Sequence, residues 1–171
     1  MDKIPSNIIR FIGLILLQAL VLNNIDFGPY IHPYLYVMAL MMLPFTTPAW
    51  LVMLVGFFAG LSLDMFSSTI GLHASTGVFV GMIRQPLLKL IAPRNGYDPT
   101  YDSTMQDYGF QWYITFTLFM VVAHHSWYFF IEYFKFSEIP YTLLKIILSS
   151  IVSLVLISLA QFLLYRPKKQ K

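Results

Sequence analysis

The 171-residue chain has no cysteine, and only 11% of its residues are charged. Without thiols there is no disulfide, no thiolate metal centre and no cysteine nucleophile, although this does not fix the compartment. Soluble domains give about 25% of their residues to charged types, so the shortage of charge points to a membrane protein. The recognisable catalytic spacings HExxH, GxSxG, GxGxxG and the P-loop are also missing. Enzymatic chemistry would need a nucleophile or metal together with an activating base. The best remaining cluster is His124, His125 and Glu132. Adjacent residues on a helix point about 100° apart, so these histidines suit hydrogen bonds between helices better than a shared metal. The expectation is a protein that is not an enzyme, with no cofactor, no metal and no nucleic-acid partner.

Apolar residues make up 57% of the chain. Runs separated by polar, proline or glycine punctuation fall at about 8–25, 33–47, 49–66, 70–88, 110–131 and 140–164. These lengths approach the roughly 20 residues that an α-helix needs to cross a 30 Å hydrocarbon core. The expected fold is therefore one all-α integral membrane domain of six transmembrane helices over residues 1–171. The second run is bracketed by Pro33, Pro44 and Pro48, which admits a short, tilted or broken helix. No small-residue cleavage site follows Leu22, only Asn23, Asn24 and Asp26, so the first run reads as a retained anchor.

Charge placement gives a direction. Lys3, Arg10, Arg84, Lys89, Arg94, Arg166, Lys168, Lys169 and Lys171 fall on one side of the six-span arrangement, and Lys135 alone falls in a loop on the other. Lys145 lies inside the last span, near enough to its end for the stem to snorkel to the interface. The positive-inside rule then places both termini in the cytoplasm. Tyr30, Tyr34 and Tyr36, and separately Trp127, Tyr128 and Tyr133, mark outer edges. The longest polar connection, about 89–109, is a cytoplasmic loop. Its Asp98, Asp102 and Asp107 lack the spacing of a calcium loop, so a solvated loop or a contact for a cytoplasmic partner is expected.

The stretch GFFAGLSLDMFSSTIGLHA is the most informative. Gly56, Gly60 and Asp64 recur every four residues, as do His73, Gly77 and Gly81, and Arg84 follows three residues later. On helices these are two stripes, each containing a GxxxG motif, and such stripes let backbones approach closely in lipid. The short link FSST, with Gly71 just beyond it, would bring Asp64 and His73 within reach of one another. The stripes suit an internal contact or a homodimer equally. Ionisable residues inside spans are functional candidates by default, which keeps Asp64 and His73 in view. Ser149, Ser150, Ser153 and Gln161 in the last span, with Gln18 in the first, read as polar contacts within the bundle.

Taken with its surroundings, the block resembles the rod shape-determining protein MreD family. The matching features are Leu17-Gln18, the proline-bounded HPYLYVMALMMLPFTTP, the GFFAGLSLDMFSSTIGLHA block, Arg84 and, more loosely, HHSWYFFIEYFKF. The family often has a basic residue after the second proline of the short turn, whereas here Pro48 is followed by Ala49 and Trp50. The resemblance implies a multi-pass protein of the bacterial inner membrane that acts as a scaffold in cell elongation. It implies direct binding to MreC, and a connection between MreB filaments and the RodA glycosyltransferase with its partner transpeptidase. It also implies the six-helix fold of the vitamin-binding subunits of energy-coupling transporters. A small-molecule-binding subunit of a transporter is therefore the alternative reading, and a proton relay through Asp64 and His73 is a third.

Overall fold

The structure, a computed structural model, describes residues 3–99, 101–133 and 139–164, with side chains between residues 8 and 163. Lys135 and the basic residues from 166 onward, whose charges bear on orientation, lie outside the described residues. The helices are α1 (Lys3–Leu20), α2 (Val37–Met41), α3 (Ala49–Ser67), α4 (Leu72–Leu90), α5 (Met105–Tyr108), α6 (Phe110–Glu132) and α7 (Ile139–Leu164), with a 3-10 turn at Leu22–Asn24. No strand occurs among the described residues. Of these helices α3, α6 and α7 are long and apolar enough to cross a membrane.

The pattern of burial runs opposite to that of a water-soluble protein. Gln18, Asp64, His73, Arg84, His124, His125, Lys145, Ser149, Ser153 and Gln161 are buried. Trp50, Phe58, Met65, Phe119, Phe130, Ile147, Ile151, Leu159 and Phe162 are exposed. Water would penalise contiguous apolar faces of this extent, whereas hydrocarbon solvates them. Lys145 does not snorkel outward: it is 4% exposed, and its ammonium lies 4.4 Å from the ring centroid of Tyr133 and 5.2 Å from that of Tyr141. An aromatic cage takes the place of interfacial water.

The segment expected as a second spanning helix is something else. Only Val37–Met41 is helical, all five residues are buried, and the chain from Ile25 to Tyr36 has no regular helix. Pro33 and Pro44 lie on either side of this single turn, where a missing N–H and a fixed φ disfavour continuous helix. The segment still travels the length of the bundle. At one end Asn23 donates to Ser67 Oγ, 2.9 Å away at the close of α3. At the other, Gln85 Nε2 near the close of α4 donates to Thr47 O at 2.6 Å.

The remaining helices alternate in direction around this strap. Arg10 and Phe11 of α1 border the same apolar cavity as Pro44 and Thr47, and Gln161 near the end of α7 donates to Gln106 of α5. The described chain therefore begins and finishes at one end of the bundle.

The α3–α4 hairpin is the closest contact. Gly56 and Gly77 face each other's backbone, Gly60 faces the carbonyl of His73, and Gly81 faces Met53 and Val52. A Cβ on Gly56, Gly60 or Gly77 would overlap the opposing backbone, and one on Gly81 would sit 2.8 Å from Met53 Cα. The stripes are thus used within the chain. Gly71 matters for conformation rather than for closeness. No atom lies within 4 Å of a Cβ there, but its φ of 75° belongs to the left-handed region that glycine enters freely. Gly77→Ala should lower the thermal midpoint of the detergent-purified protein strongly, an overpacking loss of about 1–3 kcal/mol or more. Gly13→Ala, where a Cβ meets nothing within 4 Å inside α1, should leave the midpoint unchanged or raise it, since alanine is favoured over glycine in a helix interior by up to about 1 kcal/mol.

Candidate functional site

The α3–α4 turn is organised by Asp64. Its main-chain carbonyl accepts the N–H groups of Ser68 and Thr69 as α3 ends, with Ser68 in the left-handed conformation. Its carboxylate then reaches across the turn. Oδ1 accepts from the His73 N–H at 3.0 Å and Oδ2 from the Ala74 N–H at 3.0 Å, two of the donors that the first turn of α4 leaves unpaired. The Thr69 hydroxyl donates to Oδ1 at 2.6 Å. Asp64 acts as an N-cap supplied by the preceding helix, and its negative charge lies at the favourable end of the α4 dipole. It is 4% exposed, and the bonds its carboxylate accepts come from its own hairpin.

His73 completes the arrangement. Its Nδ1 lies 2.9 Å from Asp64 Oδ1. A carboxylate can only accept, so Nδ1 carries the hydrogen and, in the neutral ring, Nε2 is left as an acceptor. That Nε2 is buried without a hydrogen-bond partner. Tyr34 and Tyr128 pack on the imidazole, with ring centroids 5.4 and 4.8 Å away.

Most of the other expected polar contacts serve the non-helical strap, whereas Gln161 bonds to Gln106 of α5. Gln18 is fully used: Nε2 donates to Asn23 Oδ1 at 2.7 Å and Pro33 O at 3.1 Å, and Oε1 accepts the Leu35 N–H at 2.6 Å. Ser153 Oγ accepts the Tyr34 N–H at 2.9 Å and lies 3.2 Å from His125 Nε2, while His125 Nδ1 lies 2.8 Å from Val121 O. His124 Nε2 lies 2.7 Å from the Tyr36 hydroxyl. Arg84, fully buried, donates through Nη2 to Met41 O and Leu43 O, where a cation complements the carbonyl end of α2.

Ser150 is the exception among the expected contacts. It is buried but its Oγ has no hydrogen-bond partner. Ser149 performs that role instead, accepting the His32 N–H at 2.9 Å and donating to Tyr30 O at 3.3 Å. Ser149 and Ser153 stand four residues apart on one face of α7, from which Ser150 is rotated by about a quarter turn.

No group of three or more His, Asp or Glu side chains among the described residues is arranged to hold an ion, and both nitrogens of His125 already have protein neighbours. The loop after α4 closes the far end of the bundle rather than hanging free. Tyr97 stacks on Phe45 with centroids 4.3 Å apart, and Ser103 Oγ donates to Met41 O. Burial raises the Tyr97 phenol above its usual range, so it stays protonated and donates to Leu88 O at 2.8 Å. Asp107 accepts from the Asp102 N–H and the Thr104 hydroxyl and so helps form the α5 turn.

Next to His73, between residues 19–34 and the α3–α4 turn, lies a cavity of about 550 Å³. The sequence offers Asp64 and His73 as lining for a small-molecule pocket; His73 does line this one and Asp64 does not, while the strap residues that contribute to it, Ile25, Phe27 and Ile31 to Tyr34, carry no periodic signal. Compared with protein-family models, curated proteins and solved structures, the chain gives no match.

Asp64→Ala leaves the His73 and Ala74 amides, the Thr69 hydroxyl and His73 Nδ1 without their acceptor. The expected loss is about 2–4 kcal/mol, combining a lost cap with unsatisfied buried donors. Asp64→Asn, which retains one oxygen acceptor, should lose about half as much. Thermal unfolding of the two variants in detergent checks the order.

Proposed function

We propose that the chain is a non-enzymatic membrane scaffold of the bacterial cell-elongation machinery, a protein of the MreD type. The proposal has it spanning the inner membrane six times with both termini cytoplasmic and binding MreC directly. Through that complex it connects MreB filaments to RodA and its partner transpeptidase. The observation that carries the reading is the GFFAGLSLDMFSSTIGLHA block. Its glycines, Asp64 and His73 all take part in one interlocked hairpin, so the residues that carry the resemblance also act together physically.

Two further observations support it. Many of the described polar side chains are spent on holding the chain's own backbone and helix ends. The outward faces of α3, α6 and α7 are broad and apolar, which suits lateral contact with single-span helices in lipid. In the proposed orientation the 89–109 loop and both termini face the cytoplasm, and the α3–α4 turn faces outward. Helix packing in membranes depends on close fit rather than on hydrophobic burial. A partner helix would therefore read the exposed ridges of these three helices.

The test is co-purification from cells that contain both proteins. Tagged chain extracted in mild detergent should retain MreC in near-stoichiometric amount. Recovery of folded, monodisperse protein without MreC would overturn the proposal.

A further inference from the structure

Two apolar hollows follow one another along the seam between α1 and α3, and Phe11 borders both. The first, about 360 Å³, lies between Arg10 and Leu14 of α1, Thr47 of the strap, and Leu51 and Val55 of α3. The second, about 310 Å³, continues between Ile15 of α1 and Phe58, Ser62 and Phe66 of α3. From Leu51 to Phe66 the seam rises about 22 Å along α3, against about 15 Å for half of a 30 Å hydrocarbon core. Side chains on its flanks, among them Ile12 and Phe58, are exposed. An extended acyl chain fits this fissure in length and in chemistry.

One end of the fissure is cationic. Arg10 is the only charged residue in either lining among the described residues, and it shares a face of α1 with Leu14, four residues on. Trp50, exposed in the first turn of α3, neighbours Leu51 of the lining, and tryptophan collects at the membrane–water interface. The mouth of the fissure therefore sits at headgroup depth. An arginine there presents a planar fork of five donors, enough to engage a phosphate in addition to bonds within the chain. Basic pockets between membrane helices take anionic headgroups in this way.

We propose that the α1–α3 fissure binds an anionic phospholipid, with its phosphate at Arg10 and one acyl chain running past Phe11 toward Phe66. Such a site stands apart from the scaffold reading and from the direction in which the termini face.

The experiment is native mass spectrometry of the full chain released from mixed micelles that hold dioleoyl phosphatidylglycerol and dioleoyl phosphatidylcholine in equal amounts. The two lipids share their acyl chains and differ in net charge. Retained phosphatidylglycerol should exceed phosphatidylcholine about fivefold, the discrimination expected of one basic side chain. Arg10→Gln should bring that ratio to about one. Lys89 is exposed at the same end of the bundle but outside the lining, and Lys89→Gln should leave the ratio unchanged. Leu51→Trp, or Met42→Trp should the first not fold, fills the first hollow and should remove most of the bound lipid of both kinds. Equal retention of the two lipids, a preference that survives Arg10→Gln, an equal loss in Lys89→Gln, or unchanged retention in the filled variant each overturns the proposal. So does a spectrum of dimers that the filled variant converts to monomers, which would seat a second copy of the chain in the fissure.

Discussion

Backbone amides and carbonyls that leave a helix inside an apolar bundle must find partners within the protein. The strap from Ile25 to Pro48 faces that requirement most strictly through its buried middle, Pro33 to Met41, where only Val37–Met41 is helical. Its partners come mainly from α1, α4 and α7, with Ser103 serving Met41 and His125 of α6 lying beside His32 O. Gln18 serves Pro33 and Leu35, Ser149 serves Tyr30 and His32, Ser153 serves Tyr34, Arg84 serves Met41 and Leu43, and Gln85 serves Phe45 and Thr47. An unsatisfied buried group costs about 1–3 kcal/mol. Several such groups together would exceed a typical net stability of about 5–15 kcal/mol. Much of the polar interior of this chain is explained by that one need.

The α3–α4 hairpin follows different physics and supplies the rigid side of the bundle. Glycine contacts bring the two backbones together, and Asp64 closes the turn by capping α4 from the end of α3. Because the hairpin fixes His73, it also fixes one wall of the cavity whose other wall is the strap. The two devices meet at Tyr34, whose N–H is held by Ser153 and whose ring packs on His73.

Much of the hairpin was legible in the sequence. Fourfold spacing of Gly56, Gly60 and Asp64 and of His73, Gly77 and Gly81 encodes two faces, and a short link forces those faces together. Gln18, Ser153 and the histidines were legible as polar contacts, but not their targets. Periodicity reports which face a side chain occupies; it carries no information about a backbone that leaves the helix. For the same reason residues 33–47 read as a span, although the prolines at 33, 44 and 48 were a visible warning. Lys145 was misplaced because hydropathy cannot distinguish a cation that reaches the interface from one enclosed by Tyr133 and Tyr141.

The central claim is that the middle of the strap, Pro33 to Met41, is a buried, internally satisfied part of the bundle. Residue-resolved amide hydrogen exchange of the protein in lipid nanodiscs tests it most directly. Opening of well-packed elements is rare, so their amides exchange slowly. The account predicts that the Tyr34, Leu35 and Met38 amides, bonded to Ser153, Gln18 and Leu35 O, exchange as slowly as those at the centre of α6. Exchange of these three as fast as in the exposed stretch Arg94 to Gly96 would contradict it.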